Sequence, residues 1–204
     1  MDNKEKIEEW LYLNSTLLEA VQISTFISVT VPENNNLEDE HLLQMNRMEK
    51  LFLFFSNFSR EYLTTHLAKI IDPDNKSITI YNFFGVSGFD KQGAEYKAYK
   101  EWKKKTKSFC KKVQGVRNRF SSHTDKASFH NKEYFGLYIE DCDEFLKETL
   151  AFFDVLYEQD VELKEKFNEV IRIGLFPKLK PSELADVRRK SMIKNVLYLK
   201  RIEK

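Results

Sequence analysis

The sequence is poor in residues that interrupt helices and in long apolar runs. Its 204 residues include only 6 glycines and 4 prolines, and both residue types are unfavourable inside a helix. This scarcity favours a chain built mostly of long helices. No apolar run approaches the roughly 20 residues that a membrane span needs, and the opening residues lack the apolar core of a signal peptide. We therefore expect no membrane partner and a cytoplasmic location.

Cysteine is scarce as well, and familiar site motifs are missing. Cys110 and Cys142 are the two cysteines, and without metal-ligand spacing they are expected to be reduced core thiols. No glycine-rich phosphate loop occurs. The four histidines are scattered along the chain, so the sequence predicts no metal site and no cofactor.

Positive charge, by contrast, is concentrated in one stretch. The whole chain has a formal net charge of +1, yet ten lysines and arginines between positions 97 and 119 are opposed by Glu101 alone. Apolar or near-apolar residues recur there at alternating steps of three and four, which predicts a helix with one buried seam. The seam consists of Tyr99, Trp102, Thr106, Phe109, Val113, Val116 and Phe120.

The remaining periodicity predicts an all-α bundle of long antiparallel helices. The expected helices cover residues 3–29, 37–72, from about 90 through the basic stretch, 140–172 with a bend near Gln159, and 182–202 with Ser182 as N-cap. Residues 77–81 could form a short strand. The second helix is expected at the centre of the bundle and the acidic fourth helix beside the basic one. The last helix, with few large apolar residues before Val196, is expected to pack loosely or across a partner.

A short motif ends the basic stretch. Arg117 and Asn118 are followed, after a gap of five residues from the arginine, by His123, and Asp125 lies two positions further on. This pattern resembles the R-x4-6-H signature of HEPN domains, and is most similar to the abortive-infection AbiU-type branch. The resemblance implies a HEPN-like helical domain over residues 1–176 and a C-terminal helical extension over residues 177–204.

The resemblance further implies a metal-independent endoribonuclease of phage defence or of a toxin–antitoxin system, with its site at a homodimer interface. His123 would serve as general acid or base, Arg117 would bind phosphate oxygens, and Asn118 would bind the phosphate or orient the other two. Lys111, Lys112 and Arg119 would hold the RNA backbone without reading its sequence. An antitoxin or other regulatory protein is a further expected partner.

The helical spacing of the motif residues leaves other interpretations open. Six residues of helix place Arg117 and His123 roughly 120° apart and about 9 Å along the axis, so one straight helix cannot aim both at one phosphate, and the hypothesis requires a dimer. Alternatively, His123 is a core or interface histidine and Arg117 pairs with the acidic fourth helix. The chain would then be a non-catalytic dimeric HEPN module that binds nucleotide, RNA or a protein partner, or a nucleic-acid-binding regulator that uses the basic helix.

Overall fold

A computed structural model of the protein describes residues 3–30, 49–72, 74, 76–86, 88–121, 137–172 and 178–202. Side chains are described in the same ranges except at positions 49–57, 86, 118–121, 171–172 and 197–202. The described chain contains helices and no strand, which confirms the predicted all-α class. None of these helices is both long and apolar enough to cross a membrane. The helices are α1 (Asn3–Thr30), α2 (Glu49–Ile71), α3 (Ile80–Val86), α4 (Ala94–Ser121), α5 (Ile139–Gln159), α6 (Val161–Arg172) and α7 (Pro181–Ile202).

The first helix, rather than the second, is at the centre of the bundle. It packs against α2, α3, α5, α6 and α7, and its Trp10 ring lies 4.7 Å from that of Phe153. The expectation that the second helix would be central is wrong for its described part, because Phe58 and Tyr62 of α2 are exposed. The helix α1 tolerates burial on several sides because its hydroxyl side chains donate to carbonyls one turn back, as Thr25 does to Val21 at 2.7 Å.

A short helix replaces the strand expected over residues 77–81. The Thr79 hydroxyl accepts a hydrogen bond from the backbone N–H of Asn82 at 3.2 Å, which is the bond of a helix N-cap. Ile80, Phe83 and Phe84 then fall on one side at helical spacing and are buried. The β-branched run that suggested a strand therefore begins α3, which lies next to the basic helix.

Asp160 produces the break that was predicted near Gln159. Its backbone N–H donates to Leu156 at the end of α5, and its carboxylate accepts from the N–H groups of Glu162 and Leu163 at the start of α6, both at 3.1 Å. The same carboxylate pairs with Lys6 of α1. One aspartate thus ends a helix, begins the next and ties both to the central helix.

The last helix is joined to the bundle through Asp154. Pro181, and not Ser182, begins α7, since proline at the first helical position loses no hydrogen bond. Ser182 instead donates to the buried Asp154 carboxylate through its backbone N–H, at 2.9 Å, and its hydroxyl. Leu184 is also buried, and α7 packs against α1 and α5. Loose packing is therefore wrong for the described part of the tail, whereas the domain boundary at 176/177 stays a prediction.

The basic helix α4 lies antiparallel to the acidic helix α5. Trp102 donates through its indole N–H to the Thr149 hydroxyl at 3.0 Å, and further along α4 the Phe109 ring stacks 4.8 Å from that of Phe145. Contacts that advance along α4 thus recede along α5. Trp102, Thr106, Val113 and Val116 are buried, as the seam predicted, and this seam sets which sides of α4 remain accessible.

Asp154 provides a test of how α7 is held. We expect Asp154→Ala to lower the free energy of unfolding by about 2 kcal/mol, since it removes the acceptor for the first turn of α7 and leaves Ser182 without its partner. Denaturant unfolding would measure the change. The matched control is Glu158→Ala one turn along, because the Lys180 ammonium lies 3.5 Å from both carboxylates whereas the Glu158 side chain is 54% exposed. Equal losses in the two variants would contradict this account.

Candidate nucleic-acid interface

The lysines of α4 are divided between two sides of the helix. On the side facing α5, Lys105 pairs with Glu148 at 2.8 Å and Lys112 with Asp141 at 2.6 Å. The Lys112 ammonium also lies 4.6 Å from the centre of the Tyr138 ring. The predicted position of the acidic helix beside the basic one is therefore confirmed. Lys112, which was expected to hold RNA, instead forms an ion pair with a carboxylate of its own chain.

The other accessible side of α4 forms a cavity of about 480 Å³ against α3, which we call the lysine groove. No ion pair joins its lysines to any acid in the described part of the chain, and none of its lining residues is acidic. Lys111, the other lysine expected to hold RNA, belongs to it. The groove is lined by Tyr81, Lys100, Lys103, Lys104, Lys107, Cys110, Lys111 and Gln114.

Two of the groove lysines are held against aromatic rings. The Lys103 ammonium lies 5.6 Å from the centre of the Tyr81 ring and 5.8 Å from that of Tyr99. The Lys100 ammonium lies 4.8 Å from the Tyr96 ring. These contacts favour a cation over the ring face and restrict the side chains without neutralising them. The groove therefore offers positive charge that is partly oriented in advance.

Arg117 lies beyond the groove, where α4 passes the end of α2. Its guanidinium donates to the carboxylate of Asp72, and 43% of the arginine side chain remains exposed. One turn earlier, the Gln114 amide donates to the carbonyl of Ile71 at 3.4 Å. The alternative pairing of Arg117 with the acidic fourth helix is wrong, because its carboxylate partner comes from the end of α2. A guanidinium has five N–H donors, so donors remain for a second anion.

The rest of the motif is only partly within the described structure. Asn118 and Arg119 belong to the last turn of α4, and the spacing of four and three that links Lys104, Lys107 and Lys111 reaches position 118 in the same register. His123 lies outside the described residues, so its proposed role stays a prediction. Elsewhere in the described chain, no three His, Cys, Asp or Glu side chains are grouped so that they could hold a metal ion.

Both cysteines are free and buried. Burial raises the pKa of the Cys110 thiol, and burial together with the nearby Asp143 and Asp141 raises the pKa of Cys142 to about 12. Burial also raises the pKa of Tyr81, which shares a hydrogen bond with Cys110. These groups stay protonated near neutral pH, so neither thiol supplies the thiolate that a nucleophilic cysteine requires. Their expected role as inert core thiols is supported.

A second polar cluster, between α1 and α2, is not predicted by any pattern in the sequence. The buried His66 has Nδ1 3.0 Å from the carbonyl oxygen of Tyr62 and Nε2 3.1 Å from the carboxylate of Glu19, and the Tyr62 hydroxyl donates to the same carboxylate at 3.0 Å. The cluster ties α2 to α1. Glu19 gave no signal in the sequence, because its partners are 43 and 47 positions away. Tyr81 and Asp72 are likewise not predicted as site residues, because the sequence pattern favours a strand at Tyr81 and the end of a helix at Asp72.

No family model, curated protein or solved structure matches this chain.

The cysteines, one on α4 and one on α5, provide a test of how tightly these two helices are packed. We expect both thiols of the folded protein to react with a disulfide reagent at pH 8 at least tenfold more slowly than those of the denatured chain, because raised pKa values leave little thiolate and burial blocks access. The release of the chromophoric thiol would be followed by absorbance. Rapid reaction of either thiol in the folded protein would contradict its burial.

Proposed function

We propose that this protein is a metal-independent endoribonuclease of the HEPN type, acting in the cytoplasm in phage defence or in a toxin–antitoxin system. The observation that carries the proposal is the course of α4. From Lys103 onward the lysine groove leads along the helix to Arg117 and Asn118 without an intervening acidic residue, and the chain continues to His123. Phosphate-binding charge and a residue that titrates near neutrality are thereby joined in one segment.

The residues of the motif supply two of the groups that metal-free cleavage of RNA requires, one for proton transfer and one for charge stabilisation. The 2′-hydroxyl loses its proton to a base and its oxygen attacks the adjacent phosphorus. The bond from phosphorus to the 5′-oxygen breaks, and the leaving oxygen takes a proton from an acid. In the proposal His123 performs one of these proton transfers, while Arg117 stabilises the extra negative charge on the phosphate oxygens. The products are a 2′,3′-cyclic phosphate and a 5′-hydroxyl.

A second candidate is a non-catalytic dimeric module that binds nucleotide, RNA or a protein partner. The ion pair between Arg117 and Asp72 favours it, because it gives Arg117 a role in attaching α4 to the end of α2. Under this alternative, substitution of Arg117 or His123 would change stability or association and leave no chemistry to lose.

Incubation of the purified protein with mixed RNA in EDTA would test the ribonuclease. We expect wild type to cleave and to leave 2′,3′-cyclic phosphate ends, and His123→Ala to lose about 10²–10⁴-fold in rate while RNA binding is kept. Arg117→Ala should also lose cleavage. Because that change strands the Asp72 carboxylate, the double variant Asp72→Ala/Arg117→Ala is the control for folding. Cleavage that is absent in wild type, or equal in all variants, would contradict the proposal.

A mixing experiment would test whether two subunits build each site. If the arginine and histidine of one site come from different subunits, dimers of Arg117→Ala with His123→Ala contain one intact site. Random reassortment should then restore about a quarter of the wild-type activity from two inactive proteins. Failure of a mixture with verified subunit exchange to regain activity would refute a shared site, and the mass from light scattering would show whether the protein is a dimer.

A further inference from the structure

We propose that the lysine groove binds the phosphate backbone of single-stranded RNA and delivers it to the Arg117 end of α4. The inference deepens the proposed ribonuclease and rests on it for the choice of RNA as ligand. Its structural support is independent of the motif, because it comes from the contrast between the two lysine-bearing sides of one helix.

Charge sorting is the first argument. Lys105 and Lys112 have carboxylate partners on α5, whereas the groove lysines have no carboxylate partner in the described structure. Adjacent residues such as Lys104 and Lys105 therefore differ in their electrostatic surroundings although they share one sequence run. A set of like charges around a concave surface repels itself and is relieved by an anion from outside. The groove is thus complementary to a polyanion.

The arrangement of the lysines points to a chain of phosphates. Lys100, Lys104, Lys107 and Lys111 recur at steps of four and three, which keeps them on one side of α4, and they span about 16 Å along its axis. A row of separated ammonium groups matches an anion that repeats along its length better than one compact ligand. Lysines act as flexible point charges, so such contacts hold a backbone without reading its bases.

The size of the groove favours one strand over a duplex. Its volume of about 480 Å³ is that of a cleft for a small molecule, which accommodates a short length of single strand. Proteins that recognise double-stranded RNA by shape contact about 16 base pairs across two minor grooves. A duplex would therefore meet only the rim of the lysine groove. The ring contacts of Lys100 and Lys103 lower the conformational entropy that these two side chains lose when a ligand binds.

Binding measurements with adjacent lysines would test the inference. The full-length His123→Ala protein, kept in EDTA, would be titrated with a labelled single-stranded oligouridylate at several salt concentrations. We expect Lys104→Gln to weaken binding and to reduce the magnitude of the slope of log K against log salt by about 0.7, the value for one single-strand phosphate contact. The double variant Lys104→Gln/Lys107→Gln should reduce it by about 1.4.

The matched control is Lys105→Gln, which makes the same charge change one residue away on the side paired with Glu148. We expect its salt slope to equal that of the parent. Equal slopes for Lys104→Gln and Lys105→Gln, no measurable binding, or equal affinity for a duplex of the same length would each overturn the inference.

The two proposals fail in different ways. If binding depends on Lys104 but the wild-type protein never cleaves RNA, the proposed ribonuclease activity is refuted and the proposed RNA-binding groove is supported. If the wild-type protein cleaves RNA and Lys104→Gln leaves the KM unchanged, the ribonuclease activity is supported and the RNA-binding role of the groove is refuted.

Discussion

The proposed site depends on one constraint, the orientation of α4 about its own axis. Trp102 fixes it, because its indole is buried, donates to Thr149 and lies 5.7 Å from the Phe152 ring. A rotation of one residue position, about 100°, would bring Lys103 toward the core and would turn Lys105 and Lys112 away from their carboxylate partners on α5. Burying an unpaired ammonium is costly, so the aromatic seam determines which charges meet α5 and which line the groove.

The net charge of the whole chain is therefore less informative than the charge on each side of α4. Pairs such as that of Lys105 and Glu148 are partly exposed, and because solvent screens such pairs they contribute little to stability. Their larger effect is to withdraw those lysines from competition for an external anion. The groove lysines have no carboxylate partner in the described structure, so their positive charge stays available to an external anion. One side of α4 thus packs against α5, and the other side presents charge to solvent.

Periodicity in the sequence predicted the helices and the seam because burial repeats every three to four residues. It failed where a polar side chain satisfies itself locally. The hydroxyl of Thr25 donates within its own helix, which allowed α1 to be buried more widely than its composition indicated, and Thr79 capped a helix where β-branched residues suggested a strand. Of the site, sequence alone located the basic stretch and its motif. Contacts such as that of Arg117 with Asp72 span 45 positions and could not be read from spacing.

The Asp72 contact bears on how Arg117 could serve both structure and chemistry. A carboxylate that engages one part of the guanidinium restricts the rotation of a long side chain before any ligand arrives, so less conformational entropy is lost when a phosphate binds. It also offsets part of the positive charge and so weakens attraction to a phosphate in its ground state. Extra charge develops on the phosphate oxygens during cleavage, and the donors that remain on the exposed guanidinium gain most at that stage. A paired arginine is therefore compatible with catalysis when its pairing leaves a donor edge open.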